Sequence, residues 1–71
     1  MARDPEKDTI RLGQFLKYIA IAATGGQAKL MIQGGEVSVN GAIETRRGRQ
    51  LHHGDVVSVG TQSFTVDLEA L

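Results

Sequence analysis

The chain has 71 residues, enough for one domain with a modest hydrophobic core, and a chain of this size rarely builds the deep pocket that catalysis needs. It contains no cysteine, which excludes disulfides, zinc–thiolate sites and thiol nucleophiles. The formal net charge is zero, but residues 11–53 hold six Lys and Arg against two Glu, a net charge of +4, which indicates either a basic surface for a polyanion or ordinary solvated charge.

The segment 1–8 is polar and mixed in charge, and we expect a flexible arm there. No apolar run follows it that would serve as a signal peptide, and no window approaches the roughly 20 apolar residues of a membrane span. The sequence therefore predicts a cytoplasmic protein that has no membrane partner. Residues 9–71 are expected to form the single domain.

Two amphipathic helices are predicted after the arm. The first is capped by Asp8 or Thr9 and ends before Gly25-Gly26, because two glycines are unfavourable in a helix interior. Its buried stripe follows helical spacing and comprises Leu12, Phe15, Leu16, Ile19 and Ala23. The second helix runs from about Gly26 to Gln33 and is stopped by Gly34-Gly35. Its narrow apolar face comprises Ala28, Met31 and Ile32. The short connection requires the two helices to pack side by side.

The hydrophobic period changes from helical to two after Gly35, which predicts strands. The alternating segments are 37–39, 42–45, 56–59 and 63–68. Asn40-Gly41 supplies a tight hairpin turn between the first two segments, and Gly60-Thr61 supplies a turn between the last two. The predicted fold class is α+β, with two packed N-terminal helices followed by a small, mostly antiparallel β-sheet.

Several short segments match a known pattern, namely Arg11-Leu12, Phe15-Leu16-Lys17, Gln27-Ala28-Lys29, Gly35-Glu36-Val37, Val39-Asn40-Gly41 and Gly54-Asp55-Val56. Together they resemble the S4 RNA-binding domain family. More narrowly, the segments LGQFLK (12–17), GGQAK (25–29) and RRGRQL (46–51) resemble the short bacterial proteins that consist of little else. The similarity covers about residues 10–66. Many members carry Ser-Arg where this chain has Thr24-Gly25, so one arginine expected to contact phosphate is absent.

The resemblance implies binding of structured RNA, such as ribosomal or transfer RNA, by the two helices and the adjoining strand-and-loop region. We expect a monomer that binds structured RNA and associates with the ribosome, with no catalytic residues, no metal and no cofactor. Phe15 and Phe64 are expected in the core, which leaves Tyr18 alone to stack on bases. This shortage of aromatic residues also favours a folded RNA over a single strand.

The candidate RNA-binding residues are basic or lie at the start of the second helix: Arg11, Lys17, Gly25, Gly26, Gln27, Lys29, Arg46, Arg47 and Arg49. A helix start offers unpaired backbone amides that a phosphate can approach beside glycines. The alternative is that the glycines only form a tight interhelical turn. Three arginines within 46–49 can hold phosphates bidentately, or they form a solvated loop that protects a sheet edge. Because the cluster is expected outside the core, its replacement by glutamine should change stability little.

The remaining polar residues are interpreted as structural. His52-His53 cannot readily chelate one ion, because adjacent residues of an extended segment point to opposite faces and no further His or Cys completes a site. We interpret the pair and Asp55 as turn residues, and Asn40 as a residue chosen for a left-handed turn. The alternative function is a protein–protein interaction module on a ribosome-associated assembly. Enzymatic activity is not expected, since no nucleophile, base and orienting group occur together.

Overall fold

The computed structural model describes residues 8–70, so the predicted flexible arm lies, apart from Asp8, outside the described residues. The elements in chain order are β1 (Ile10–Arg11), α1 (Leu12–Tyr18), α2 (Gly25–Gln33), β2 (Val37–Val39), β3 (Ala42–Ile43), β4 (Gln50–Leu51), β5 (Val56–Val59), β6 (Gln62–Thr65) and a short 3-10 helix (Leu68–Ala70). The predicted α+β class, with two helices ahead of an antiparallel sheet, is confirmed.

Helix α1 begins later than the sequence predicts. Its N-cap is Arg11, and the side chain of Arg11 makes no capping hydrogen bond. The predicted caps Asp8 and Thr9 are wrong, because the chain immediately before Leu12 is extended and forms strand β1. The first turn of α1 is capped instead by backbone carbonyls from a distant loop, described below.

Helix α1 also ends earlier than its predicted stripe. The last helical residue is Tyr18, after which the backbone amides of Ile21 and Ala22 both donate to the carbonyl of Leu16. This turn folds the chain back and buries Ala22, whereas the predicted core residue Ala23 is exposed. The connection to α2 therefore spans residues 19–24, and the pair Gly25-Gly26 lies inside the second helix.

Helix α2 closely follows its prediction. It begins at Gly25, since Thr24 adopts an extended conformation and accepts a hydrogen bond from the Gln27 amide through its side chain. It ends at Gln33, where Gly34 is the C-cap and Gly35 has a φ of +79°. A positive φ is adopted most easily by glycine, which explains why the helix stops there.

The four-stranded sheet is antiparallel with the order β3-β2-β5-β6. The predicted Asn40-Gly41 turn joins β2 and β3, and both of its residues have positive φ, 52° and 87°. Strand β3 ends at Ile43 and β6 ends at Thr65, so both are shorter than the predicted segments 42–45 and 63–68.

A second, two-stranded sheet pairs β1 with β4, with Ile10 opposite Leu51 and Arg11 opposite Gln50. The sequence did not predict this pair, because two residues are too few to show alternation. It joins the segment before α1 to the end of the arginine cluster. The two helices and both sheets then share one core of Ile10, Leu12, Phe15, Leu16, Ala22, Ala28, Ile32, Val37, Val39, Leu51, Val57, Val66 and Leu68. Over residues 8–70, no helix has the length and apolar character needed to cross a bilayer.

Candidate nucleic-acid interface

The arginine loop, residues 44–49 between β3 and β4, is hydrogen-bonded to the start of α1. The amide of Leu12 donates to the Arg49 carbonyl at 2.8 Å, and the amide of Gly13 donates to the Arg47 carbonyl at 3.1 Å. A helix start leaves its first amides without intrahelical partners, and α1 has no side-chain cap. The loop backbone therefore caps the helix and brings the arginines beside it.

The side chain of Arg47 lies directly over Gly13. A β-carbon at residue 13 would come within 2.8 Å of Arg47 Cγ and 3.4 Å of Arg47 Cδ. The distance to Cγ is much shorter than an ordinary carbon–carbon contact, so the stem of Arg47 can occupy this place only because residue 13 has no side chain. Gly13 was not among the sequence candidates, since close approach between a helix and a loop leaves no local signal in the sequence.

Between α1, the start of α2 and the arginine loop lies a cleft of about 280 Å³. It is lined by Arg11, Gly13, Gln14, Lys17, Gly25, Arg47 and Gly48. Arg11, Lys17, Gly25 and Arg47 are among the predicted site residues, and the fold brings them together from three separate segments. None of the described residues that line the cleft is acidic, so it concentrates positive charge where a phosphate group would fit.

The start of α2 differs from the open anion site expected at Gly25, Gly26 and Gln27. The Gln27 amide donates to Thr24 Oγ1 at 3.1 Å, while Gln27 Oε1 accepts from the Ala23 amide at 2.8 Å. This reciprocal arrangement is close to a capping box, for which Thr24 and Gln27 have the right spacing. The Gln27 amide is thus engaged within the protein, and Gly25 is the residue of this group that reaches the cleft.

Arg46 and Arg49 are bound to the carboxylate of Glu44, which in the sequence alone is only an opposing charge. Glu44 is 6% exposed. Its Oε2 accepts hydrogen bonds from the amide and the Nε of Arg46 at 3.0 and 3.1 Å. Its Oε1 accepts from Arg46 Nη2 at 3.2 Å and from Arg49 Nη1 at 2.7 Å. The three arginines of the loop therefore have two environments: Arg47 borders the cleft, and Arg46 and Arg49 share Glu44.

These contacts keep Glu44 ionised. The pKa of its carboxyl group is lowered to about 2, first by the side-chain hydrogen bonds from Arg46, then by those from Arg49 and from the Arg46 backbone. Burial opposes this shift and is outweighed. The side-chain hydrogen bonding with Glu44 also raises the pKa of Arg46. At neutral pH the loop therefore carries an internal negative charge that offsets part of its arginine charge.

The family model for the S4 domain matches residues 4–67. The chain belongs to the S4 domain family. The probable ribosome maturation protein RlbA of Bacillus subtilis is 45% identical over 62 residues, which cover 86% of this chain and 87% of RlbA. The candidate RNA-binding protein YbcJ of Escherichia coli is 37% identical over 57 residues, which cover 80% of this chain and 81% of YbcJ.

Two further candidate RNA-binding residues of this S4 domain, Lys29 and Gly26, lie on α2. Lys29 is exposed and follows Gly25 by four residues, a spacing that places two residues on the same side of a helix. Lys29 thus lies one turn away from the cleft. Gly26 is exposed. Apart from its chain neighbours and the backbone of α2, a β-carbon there would come within 4 Å only of the Thr24 side chain, at 3.9 Å, among the described residues. It does not line the cleft.

Asn40 and Asp55 of the S4 domain connect two turns. Asn40 Nδ2 donates to Asp55 Oδ1 at 3.2 Å, and Asn40 Oδ1 accepts from the Val56 amide at 2.9 Å. Burial disfavours the ionised form of Asp55, but hydrogen bonds from the His52 backbone and from Asn40 outweigh it and lower the pKa of Asp55. These contacts agree with the structural roles predicted for both residues.

His53 has a comparable local role. Its Nδ1 accepts a hydrogen bond from the Leu68 amide at 3.2 Å and lies 3.7 Å from Asp67 Oδ1. The contact ties the turn after β4 to the start of the 3-10 helix. Within residues 8–70, no three His, Cys, Asp or Glu side chains are grouped so that they could hold a metal ion.

Proposed function

We propose that this S4 domain binds structured RNA through the face that contains the cleft, using phosphate contacts and shape. The observation that carries the proposal is the convergence of Arg11, Lys17 and Arg47 on a cleft whose described lining has no carboxylate. Guanidinium and ammonium groups placed this way attract a phosphate backbone without reading bases. The name of YbcJ, a candidate RNA-binding protein, supports the same class of partner.

The aromatic side chains favour a folded RNA over a single strand. Phe15 is buried in the core and Phe64 is partly buried against it. Tyr18 is 41% exposed, and its hydroxyl donates to the Ala70 carbonyl at 3.1 Å. Proteins that bind single strands usually stack successive bases on exposed rings. The described surface offers no row of such rings, so we assign recognition to the phosphates and shape of a stem.

The residues proposed to contact RNA keep different roles within one surface. Arg11, Lys17 and Arg47 contact phosphate in the cleft, and Gly25 allows the backbone to approach it. Lys29 extends the surface along α2, while Gly26 leaves it open. Arg46 and Arg49 present the edges of their guanidinium groups that Glu44 does not occupy. We assign Gln27 a supporting role, because both of its hydrogen bonds cap α2.

The name of RlbA, a probable ribosome maturation protein, favours ribosomal RNA as the class of target. We therefore propose a monomeric, cytoplasmic binding protein that acts on a ribosomal particle and carries out no reaction of its own. A module that recognises an acidic protein instead would use the same basic cleft. Its binding would survive ribonuclease treatment, which separates the two classes of partner.

The test is the affinity of the purified protein for ribosomal RNA, measured with Arg47→Gln and a matched control. Gln62→Glu in β6 lowers the net charge by the same amount at an exposed position outside the cleft. Arg47→Gln should weaken RNA binding about threefold to tenfold, whereas the control should have a much smaller effect. Equal losses in both variants would show that net charge, not the cleft, governs binding. No binding by the parent protein would overturn the proposal.

A further inference from the structure

Glu44 introduces a negative charge beneath a surface proposed to bind a polyanion. A negative charge on a basic surface weakens its attraction for phosphate. A surface that needed only attraction would therefore bind better without Glu44. The carboxylate is nevertheless buried, ionised and in contact with two of the three loop arginines. Any contribution of Glu44 to RNA binding must therefore come from the way it positions the arginines.

The contacts of Glu44 fix two guanidinium groups relative to each other. Arg46 is held in a fork by both carboxylate oxygens, and Arg49 is held through Oε1. The backbone is fixed as well, because the Arg49 amide donates to the Arg46 carbonyl at 3.2 Å and the Glu44 amide donates to the Val37 carbonyl at 2.9 Å. Long side chains held in this way lose little further freedom on binding.

Both guanidinium groups retain donors for a ligand. A guanidinium has more N–H groups than one carboxylate can occupy, and these lie in a rigid planar fork. The Arg46 side chain remains 76% exposed despite its contacts with Glu44, and that of Arg49 remains 34% exposed. The outer edges of the two groups are therefore accessible and held at a fixed spacing.

We propose that Glu44 is a positioning residue that makes this surface selective for folded RNA. By fixing Arg46 and Arg49, it matches their outer N–H groups to the regular phosphate spacing of a stem. A flexible strand gains nothing from this fixed spacing, because it can adapt to mobile arginines equally well. The inference rests on the proposed RNA-binding function and adds the basis of its selectivity.

The test compares Glu44→Gln with the parent protein on two probes, a stable RNA hairpin and polyuridylate with the same number of nucleotides. The substitution keeps the side-chain size but removes the charge that orders the arginines. Affinity for the hairpin should fall about threefold to tenfold, while affinity for polyuridylate should stay constant or rise up to about threefold with the added net positive charge. A substitution that only damaged the fold would weaken binding to both probes.

Two further variants separate charge from geometry. Glu36→Gln removes the same charge at an exposed position that takes no part in the hydrogen bonds described for Glu44 and the loop arginines, so it should change both affinities in parallel. Glu44→Asp keeps the charge but withdraws the carboxylate by one methylene. It should lower hairpin affinity with no gain on polyuridylate, and it serves as the test if the Gln variant does not fold.

The outcomes distinguish the inference from the function on which it rests. If folded Glu44→Gln loses affinity for both probes by the same factor, or gains on both as Glu36→Gln does, Glu44 has no role in selectivity. Retention of the parent preference for the hairpin in Glu44→Asp would also overturn the inference. If the parent protein binds neither RNA, the proposed function itself fails.

Discussion

Gly13 lies against both the backbone and the side chain of Arg47. The Gly13 amide donates to the Arg47 carbonyl at 3.1 Å, and a β-carbon on Gly13 would lie 2.8 Å from Arg47 Cγ. Gly13→Ala should therefore push the Arg47 side chain out of the cleft and weaken RNA binding about threefold to tenfold. The free energy of unfolding should change less than the free energy of binding. Alanine is more favourable than glycine in a helix by about 1 kcal/mol, and this gain offsets part of the clash. RNA titration and thermal melting of the same sample measure the two effects.

A double-mutant cycle isolates this contact. In an Arg47→Ala background the atoms that would clash with a β-carbon at residue 13 are absent. Gly13→Ala should then have little further effect on RNA affinity, giving a clearly non-additive cycle. Additive effects would mean that Gly13 influences binding by a route other than Arg47.

The pKa of Glu44 predicts a specific loss of stability in acid. Its value is about 2 in the folded protein against an ordinary 4.5, so the unfolded chain binds this proton more readily. The contribution of Glu44 is therefore fully present above about pH 4.5 and is lost as the pH falls towards 2. Melting temperatures of the parent and Glu44→Gln should differ at neutral pH and converge over that window. A constant difference between them would contradict the assigned pKa.

Replacement of Arg46 and Arg49 together by glutamine should destabilise the protein. The sequence alone predicts little effect for the arginine cluster, because it treats all three residues as exposed. The structure changes this expectation, since the double substitution leaves the buried Glu44 without its charged partners. We expect the melting temperature to fall by roughly 5 °C or more. Arg47→Gln, which leaves Glu44 paired, is the matched control and should melt like the parent.

The difference between those two expectations shows which part of the site can be predicted from sequence. Asn40-Gly41 and Gly34-Gly35 are local signals, and each produces the turn or helix end predicted for it. Glu44 lies only two residues before Arg46, yet no local rule makes that pair a buried ion pair. Its burial depends on how the loop folds against β2, where the Glu44 amide contacts Val37.

Tertiary contacts also explain the errors at α1. The cap is formed by the carbonyls of Arg47 and Arg49, which are far from Leu12 in the chain. The sequence prediction of Asp8 or Thr9 as the cap is wrong for this reason. By contrast, the Thr24–Gln27 capping box could have been found from the sequence by its spacing. That spacing identifies Gln27 as a capping residue of α2 and leaves Gly25 as the residue of this group that is open to a ligand.

The core assignment gives a stability prediction for each helix. Leu16 of α1 and Ile32 of α2 are both fully buried. Leu16→Ala and Ile32→Ala should each destabilise the domain by roughly 2 to 4 kcal/mol, because the surrounding structure cannot close the cavity completely. Leu30→Ala is the matched control on α2, since Leu30 is 73% exposed. Chemical denaturation measures the differences, and a control that lost as much as Ile32→Ala would mean that the faces of α2 are assigned incorrectly.

The salt dependence of RNA binding measures how many phosphates the basic surface contacts. If about four cationic groups, for example Arg11, Lys17, Arg47 and the outer edge of Arg46, each neutralise a phosphate, the log–log slope of affinity against salt should be roughly −3 to −4. Arg47→Gln should reduce the magnitude of that slope by about 0.7 to 0.9, because one counterion fewer is released. Gln62→Glu should leave the slope unchanged, since it removes no phosphate contact. A flat titration for the parent protein would show that phosphate contacts do not drive binding, and an unchanged slope in Arg47→Gln would place the RNA outside the cleft.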